Sequence, residues 1–184
     1  MDTKRTAFNS PRRDMGVLYA LGVHEVDLYC YLLGQDYPEK VQCICGDYLQ
    51  QGIEEVAHLD LVFNGGIHCH AFESWISPFS RKCREFIIVG SKMSAKIDYL
   101  KPQEILFFEG NIASYPNVTG EVTFDITDEG IMTKIIPFKE PLKEELLDFI
   151  ECIKTGKTPV ADMYSGKRAV EIIESCKTRF IANK

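Results

Sequence analysis

The sequence predicts an α+β fold, an open and mainly antiparallel or mixed β-sheet with helices packed on one face. Three observations predict it. Apolar residues recur at helical spacing after His24, short alternating runs fill positions 41 to 138, and two helical stripes close the chain. At 184 residues the whole chain, 1–184, reads as a single domain large enough to bury a proper core.

Residues 1–15 are polar, include Pro11-Arg12-Arg13-Asp14, and read as an extended arm or an entering strand. A helix is predicted to begin at His24, with Val26, Leu28, Tyr29, Leu32 and Leu33 as its apolar face and Gly34 as its stop. Val41–Cys45 reads as a strand. Ala57–Phe63 and Ile67–Trp75 read as a hairpin joined through Asn64-Gly65-Gly66. A three-residue loop pairs Phe63 with Ile67, Leu61 with Cys69 and Leu59 with Ala71, which makes one face uniformly apolar. A two-residue loop sets apolar residues against His68 and His70, so the three-residue loop is the better register. Glu85–Val89 is a further strand, and Ala95–Tyr99 pairs with Glu104–Phe108. Residues 110–130, rich in Gly, Asn, Asp and Thr, read as a loop with one weak strand near Val122-Thr123-Phe124, and Ile131–Phe138 closes the strand region. Leu142, Leu146, Phe149, Ile150 and Ile153 mark a helix stopped by Gly156. Ala169, Val170, Ile173, Cys176 and Phe180 mark a second that starts near Asp162.

Composition excludes several classes. The net charge of −6 argues against nucleic-acid binding, which depends on Lys and Arg neutralising phosphates. No apolar run approaches the ~20 residues that span a bilayer, and the polar start is no signal peptide. Seven cysteines, an odd number without C-x-x-C spacing, read as reduced, mostly buried thiols of a cytoplasmic protein. Cys43-x-Cys45 puts two thiols on one face of a strand, a weak signal.

Three stretches carry a resemblance. The first runs Pro11-Arg12-Arg13-Asp14-Met15-Gly16-Val17-Leu18-Tyr19-Ala20-Leu21-Gly22-Val23-His24-Glu25-Val26-Asp27-Leu28. The second is Phe63-Asn64-Gly65-Gly66 followed by Ser74-Trp75 and Arg84…Val89-Gly90. The third is Pro141-Leu142…Glu145-Leu146…Phe149-Ile150 followed by Thr155-Gly156-Lys157-Thr158-Pro159 and Gly166…Ala169-Val170. In this order they resemble the C-terminal domain of the glucose–fructose oxidoreductase/inositol dehydrogenase/MocA family over nearly the whole chain. The resemblance implies a two-domain enzyme in which a Rossmann domain binds NAD or NADP and this α+β domain supplies the substrate site. It further implies a sugar, nucleotide-sugar or cyclitol substrate and a homo-oligomer formed through the open sheet face.

The chain contains no strand–G-x-G-x-x-G–helix unit and no Glu-Lys-Pro segment, so the Rossmann domain is absent and no residue is assigned to the cofactor. Either the chain is part of a longer protein, with NAD or NADP bound by the parent, or it is a free-standing, non-catalytic dimerising or ligand-binding domain. A Rossmann domain would then act in cis or in trans, and the chain alone is expected to bind no cofactor.

By the resemblance, His24 is the catalytic acid/base, since an imidazole titrating near neutral pH suits removal of a hydroxyl proton. The family's aspartate four residues earlier is Ala20 here, which neither accepts a hydrogen bond nor carries charge. Without the motif, His24 would read as a helix-capping or packed histidine. Arg12 and Arg13 are candidate contacts for an anionic substrate group, against a reading as solvated surface, and Tyr19 is a candidate substrate contact, against one as a core aromatic. His58, Asp60, His68 and His70 share one sheet face, with His70 opposite Asp60. They are potential metal ligands but also plain polar positions away from the helices, and no metal is assigned.

Overall fold

The structure, a computed structural model, describes residues 15–77, 83–116, 118–176 and 179–180. In chain order, a π-helical turn (Leu18–Gly22) runs into α1 (Val23–Leu33). Then come β1 (Lys40–Gly46), β2 (Val56–Phe63), β3 (Ile67–Ser74), β4 (Glu85–Val89), β5 (Met93–Asp98), β6 (Glu104–Pro116) and β7 (Val122–Ile135). α2 (Pro141–Thr155), α3 (Met163–Ser175) and the short β8 (Arg179–Phe180) end the described chain. The fold is α+β, as the sequence predicts. Among the described residues its strands are divided over two four-stranded sheets where the sequence reading drew one. The chain separates into two compact units, Met1–Pro78 with Asp148–Lys184, and Phe79–Leu147.

The first unit holds the sheet β3-β2-β1-β8, antiparallel except for the parallel β1–β8 pair. The β2–β3 register is the one argued from burial: Phe63 faces Ile67, Leu61 faces Cys69 and Leu59 faces Ala71. Gly65 and Gly66 make the three-residue loop possible, because both have positive φ (81° and 72°), which side-chain-bearing residues rarely adopt. Alternation then puts Cys43, Cys45, Ala57, Leu59, Leu61, Phe63 and Ala71 on one buried face. Val17, Leu18, Val26, Tyr29 and Cys30 of the helical run, with Ala169, Ile172 and Ile173 of α3, are buried as well. Fully burying a Leu or Phe of this set contributes about 1.5–3 kcal/mol.

Polar links fix α1 in this unit. Tyr29 Oη donates to the His70 carbonyl at 2.9 Å. The Arg168 guanidinium reaches Asp27 at 3.6 Å and also pairs with Asp36. Gly34, at φ 61°, ends α1 in the left-handed conformation predicted for it.

The second unit is an antiparallel meander, β4-β5-β6-β7. Here the sequence reading needs correcting. Residues 110–130 are not mainly loop: β6 and β7 are long strands paired from Glu104↔Ile135 to Pro116↔Val122. Two of the glycines that suggested a loop, Gly110 and Gly130, serve a bulge, and Gly120 lies in the turn between the strands. The register shifts between Glu109 and Gly110, Gly130 takes φ 116°, and a Cβ on Gly110 would lie 2.5 Å from the Thr127 carbonyl oxygen.

Two further corrections concern helix ends. The first helix does not begin at His24 but at Val17, seven residues earlier. Leu18 N–H donates to a Glu54 carboxylate oxygen at 3.2 Å and Val17 N–H to the Glu54 carbonyl at 2.8 Å, satisfying donors that a helix start leaves open. Gly16 and Gly22 are sites of close approach rather than breakers. A Cβ on Gly16 would lie 1.9 Å from the Glu54 carboxyl carbon, and one on Gly22 would touch Leu18 and Ile173. Phe180 does not continue the last helical stripe. α3 ends at Ser175, and Phe180 pairs with Cys45 in β8. Its start is as predicted, with the Asp162 carboxylate accepting from Tyr164 and Ser165 N–H.

Candidate substrate site

The helical run positions the candidate site. Its buried stripe, Val17, Leu18, Gly22, Val26, Tyr29 and Cys30, faces the core. His24 lies off that stripe and is exposed. It is the second residue of α1 and sits a full turn inside the run, so it neither caps the helix nor packs in the core. Among the described residues it makes no hydrogen bond or ion pair, which leaves both ring nitrogens available. Asp27, three residues on, is turned to Arg168 on α3 and serves the α1–α3 contact.

The π-helical turn directly precedes His24. Val23 N–H reaches back to the Leu18 carbonyl, a five-residue span that sets one extra residue in the turn. Such turns recur at functional sites because the extra residue shifts the phase of the side chains that follow. Nothing in hydrophobic spacing marks it. Tyr19 lies in this turn and is 36% exposed, so it is no core aromatic. Burial, then the carboxylates of Glu174 and Glu54, push its phenol above the usual range, and it stays protonated as a hydrogen-bond donor. Ala20 is one turn before His24 and presents only a methyl group. Arg12 and Arg13 lie outside the described residues.

Glu54 and Glu55 were not singled out from sequence. Both are buried, at 9% and 3% exposure. The carboxylate of Glu54 holds the start of the site helix. That of Glu55 accepts from Tyr48 and Leu49 N–H at 2.7 and 3.2 Å and fixes the turn after β1. Two acidic residues abutting an apolar alternating run are an unusual strand entry, and that is the signal they left in the sequence.

On the open face of the first sheet, His70 Nδ1 is 2.7 Å from Asp60 Oδ1, in the predicted register. The His58 ring stands 5.7 Å from the His70 ring and 4.7 Å from that of Phe72. Ile44 and Phe72 are exposed on the same face. Among the described residues no group of three or more His, Cys, Asp or Glu is arranged to hold a metal ion. Nor do they include a strand, glycine-rich turn and helix of the kind that cradles a pyrophosphate. No described helix is long and apolar enough to cross a membrane.

The C-terminal alpha/beta domain of the oxidoreductase family named for glucose–fructose oxidoreductase, inositol dehydrogenase and MocA matches residues 5–180. The chain belongs to this family. Solved structures agree in fold. A UDP-N-acetylglucosamine 3-dehydrogenase from Acidithiobacillus ferrooxidans has a TM-score of 0.71 at 18% identity, over 91% of this chain and 48% of that one. A 3-ketoreductase from Actinomadura kijaniata, solved with NADP and TDP-benzene, gives 0.68 at 11% identity, over 92% and 48%. An aldose-aldose oxidoreductase from Caulobacter crescentus, complexed with glycerol, gives 0.62 at 20%, over 88% and 44%. The chain spans about half the length of these family members. No curated protein sequence is matched.

Proposed function

We propose that this domain forms the substrate-binding and oligomerisation half of an NAD(P)-dependent oxidoreductase acting on a sugar, nucleotide sugar or cyclitol. The observation that carries the reading is His24, exposed and unpaired among the described residues on a helix whose Asp27 and Tyr29 are engaged in holding the fold. In the oxidising direction His24 takes the proton of the substrate hydroxyl as hydride leaves the carbon, and in the reducing direction it returns that proton to the carbonyl oxygen. The hydride acceptor is not held by the described residues and belongs to a Rossmann domain, in cis or in trans. Tyr19 donates a hydrogen bond to a substrate hydroxyl. Arg12 and Arg13 contact an anionic group such as a nucleotide-sugar phosphate. This reading takes the whole protein to be cytoplasmic.

The relatives support the substrate class, since those named are a UDP-N-acetylglucosamine 3-dehydrogenase, a 3-ketoreductase solved with TDP-benzene and an aldose-aldose oxidoreductase. The test is a panel of nucleotide sugars, hexoses and inositols assayed with NAD+ and NADP+, using the protein as its source produces it. Turnover of one class that is lost in His24→Ala supports the reading, and the absence of turnover with every pair contradicts it.

Ala20 favours a second reading, a non-catalytic assembly domain. With a methyl group where relatives of this kind carry a carboxylate, the site loses one anchor for the substrate and for His24. The open sheet face with Ile44 and Phe72 would then be the working surface, joining two copies. Light scattering showing a dimer, together with inactivity on the panel, selects this reading.

A further inference from the structure

Two histidines, His58 and His70, stand side by side on the open face of the first sheet. The register explains why. Phe72 faces His58 and Asp60 faces His70, so the two imidazoles lie on neighbouring rungs of adjacent strands. Their ring centres are 5.7 Å apart, and the Phe72 ring backs that of His58 at 4.7 Å. The cluster is open to solvent, with the His70 and Asp60 side chains 55% and 54% exposed.

Asp60 sets the chemistry of His70. A carboxylate only accepts, so His70 Nδ1 donates its proton across the 2.7 Å contact to Asp60 Oδ1. In the neutral ring this leaves the Nε2 lone pair uncommitted, which is the tautomer a metal ligand needs. Among the described residues His58 contacts only the two neighbouring rings and makes no hydrogen bond or ion pair, so its nitrogens are uncommitted as well.

We propose that His58 and His70 chelate a divalent transition-metal ion such as Zn²⁺, with Asp60 orienting His70 from behind. Two imidazoles on one tetrahedral ion, each nitrogen about 2.0–2.1 Å from it, have ring centres roughly 5 Å apart. The 5.7 Å spacing and 37° tilt are close to that arrangement, and rotation of the exposed His58 side chain closes the difference. Nitrogen donors select zinc, copper or nickel over calcium and magnesium, which take oxygen ligands. One chain supplies two ligands, fewer than a closed site has, so water completes the coordination. His68 is no part of the pair. It lies on the other side of His70 along β3, opposite Val62 and two rungs from His58.

The test uses the whole protein, carrying Cys83→Ser to remove the exposed thiol and stripped of metal with a chelator. It is titrated with zinc chloride by calorimetry while the histidine ring signals are followed by NMR. The proposal predicts saturable binding at micromolar zinc, ring shifts centred on His58 and His70, and no such response to calcium. His58→Gln and His70→Gln each abolish that binding, Asp60→Asn weakens it about 10–100-fold, and His68→Gln leaves it unchanged. All four positions are exposed, so the metal-free variants should melt near the parent temperature, which separates lost ligation from lost fold. No saturable binding, binding untouched by His58→Gln, or equal weakening by His68→Gln would overturn the proposal.

Discussion

The two sheets of this chain are built from similar strands but bury them differently. In the first unit, Leu59, Leu61 and Phe63 are at most 1% exposed, while of their alternating neighbours His58 and Asp60 are exposed and Val62 is half-buried. One face is closed and the other open. In the second unit the meander carries apolar side chains on both faces. Phe86 and Ile88 alternate with Ile87 and Val89, and of these four only Phe86 is buried. Strand alternation alone therefore does not make a core. The first sheet is closed because a helical run with a strict buried stripe, itself pinned by Glu54 and Arg168, belongs to the same unit. The candidate site sits on the outer side of that run, so its rigidity derives from the closed face beneath it.

The largest expected effect breaks this contrast directly. Leu61→Ala should cost about 2–5 kcal/mol by leaving a cavity in the closed core, whereas Ile87→Ala, already 58% exposed, should cost under about 1 kcal/mol. Chemical denaturation of both variants measures the difference, and equal losses would show that the second sheet is as well packed as the first. Hydrogen exchange sharpens the same contrast. The amides of β2 should exchange more slowly than those of β4, and the reverse order would contradict the account.

The next effect concerns the support of the site helix. Gly16→Ala places a methyl group where the Glu54 carboxylate lies, so it should displace the cap and cost about 1–2 kcal/mol. Glu54→Gln keeps an acceptor for Leu18 N–H and should cost less than Gly16→Ala in the same denaturation series. The smallest effect is at the open face. Asp60→Asn removes an exposed His70 partner, and a stability change above about 1 kcal/mol would mean that this face is covered in solution.

Much of the first unit was legible in the sequence, because burial of Leu59, Leu61 and Phe63 on one side admits only one hairpin register. The helix start was not legible. Gly16 and Gly22 look like punctuation until Glu54, nearly forty positions away, is seen to need the space at Gly16. The long β6–β7 pair was hidden for a related reason, since Gly110 and Gly130 serve a bulge whose partner strand lies across the hairpin. His24 was found through the family motif, and its exposure came only with the fold. The π-helical turn before it follows from backbone hydrogen bonding that no residue pattern announces.

The most direct test of the central claim is the pH dependence of turnover for the parent protein and its His24→Ala variant, measured on the same sugar substrate. The account predicts a fall in kcat of roughly 10²–10⁴-fold, a changed pH profile, and a much smaller change in KM. A variant with an unaltered kcat and profile would contradict it and remove His24 from the chemistry.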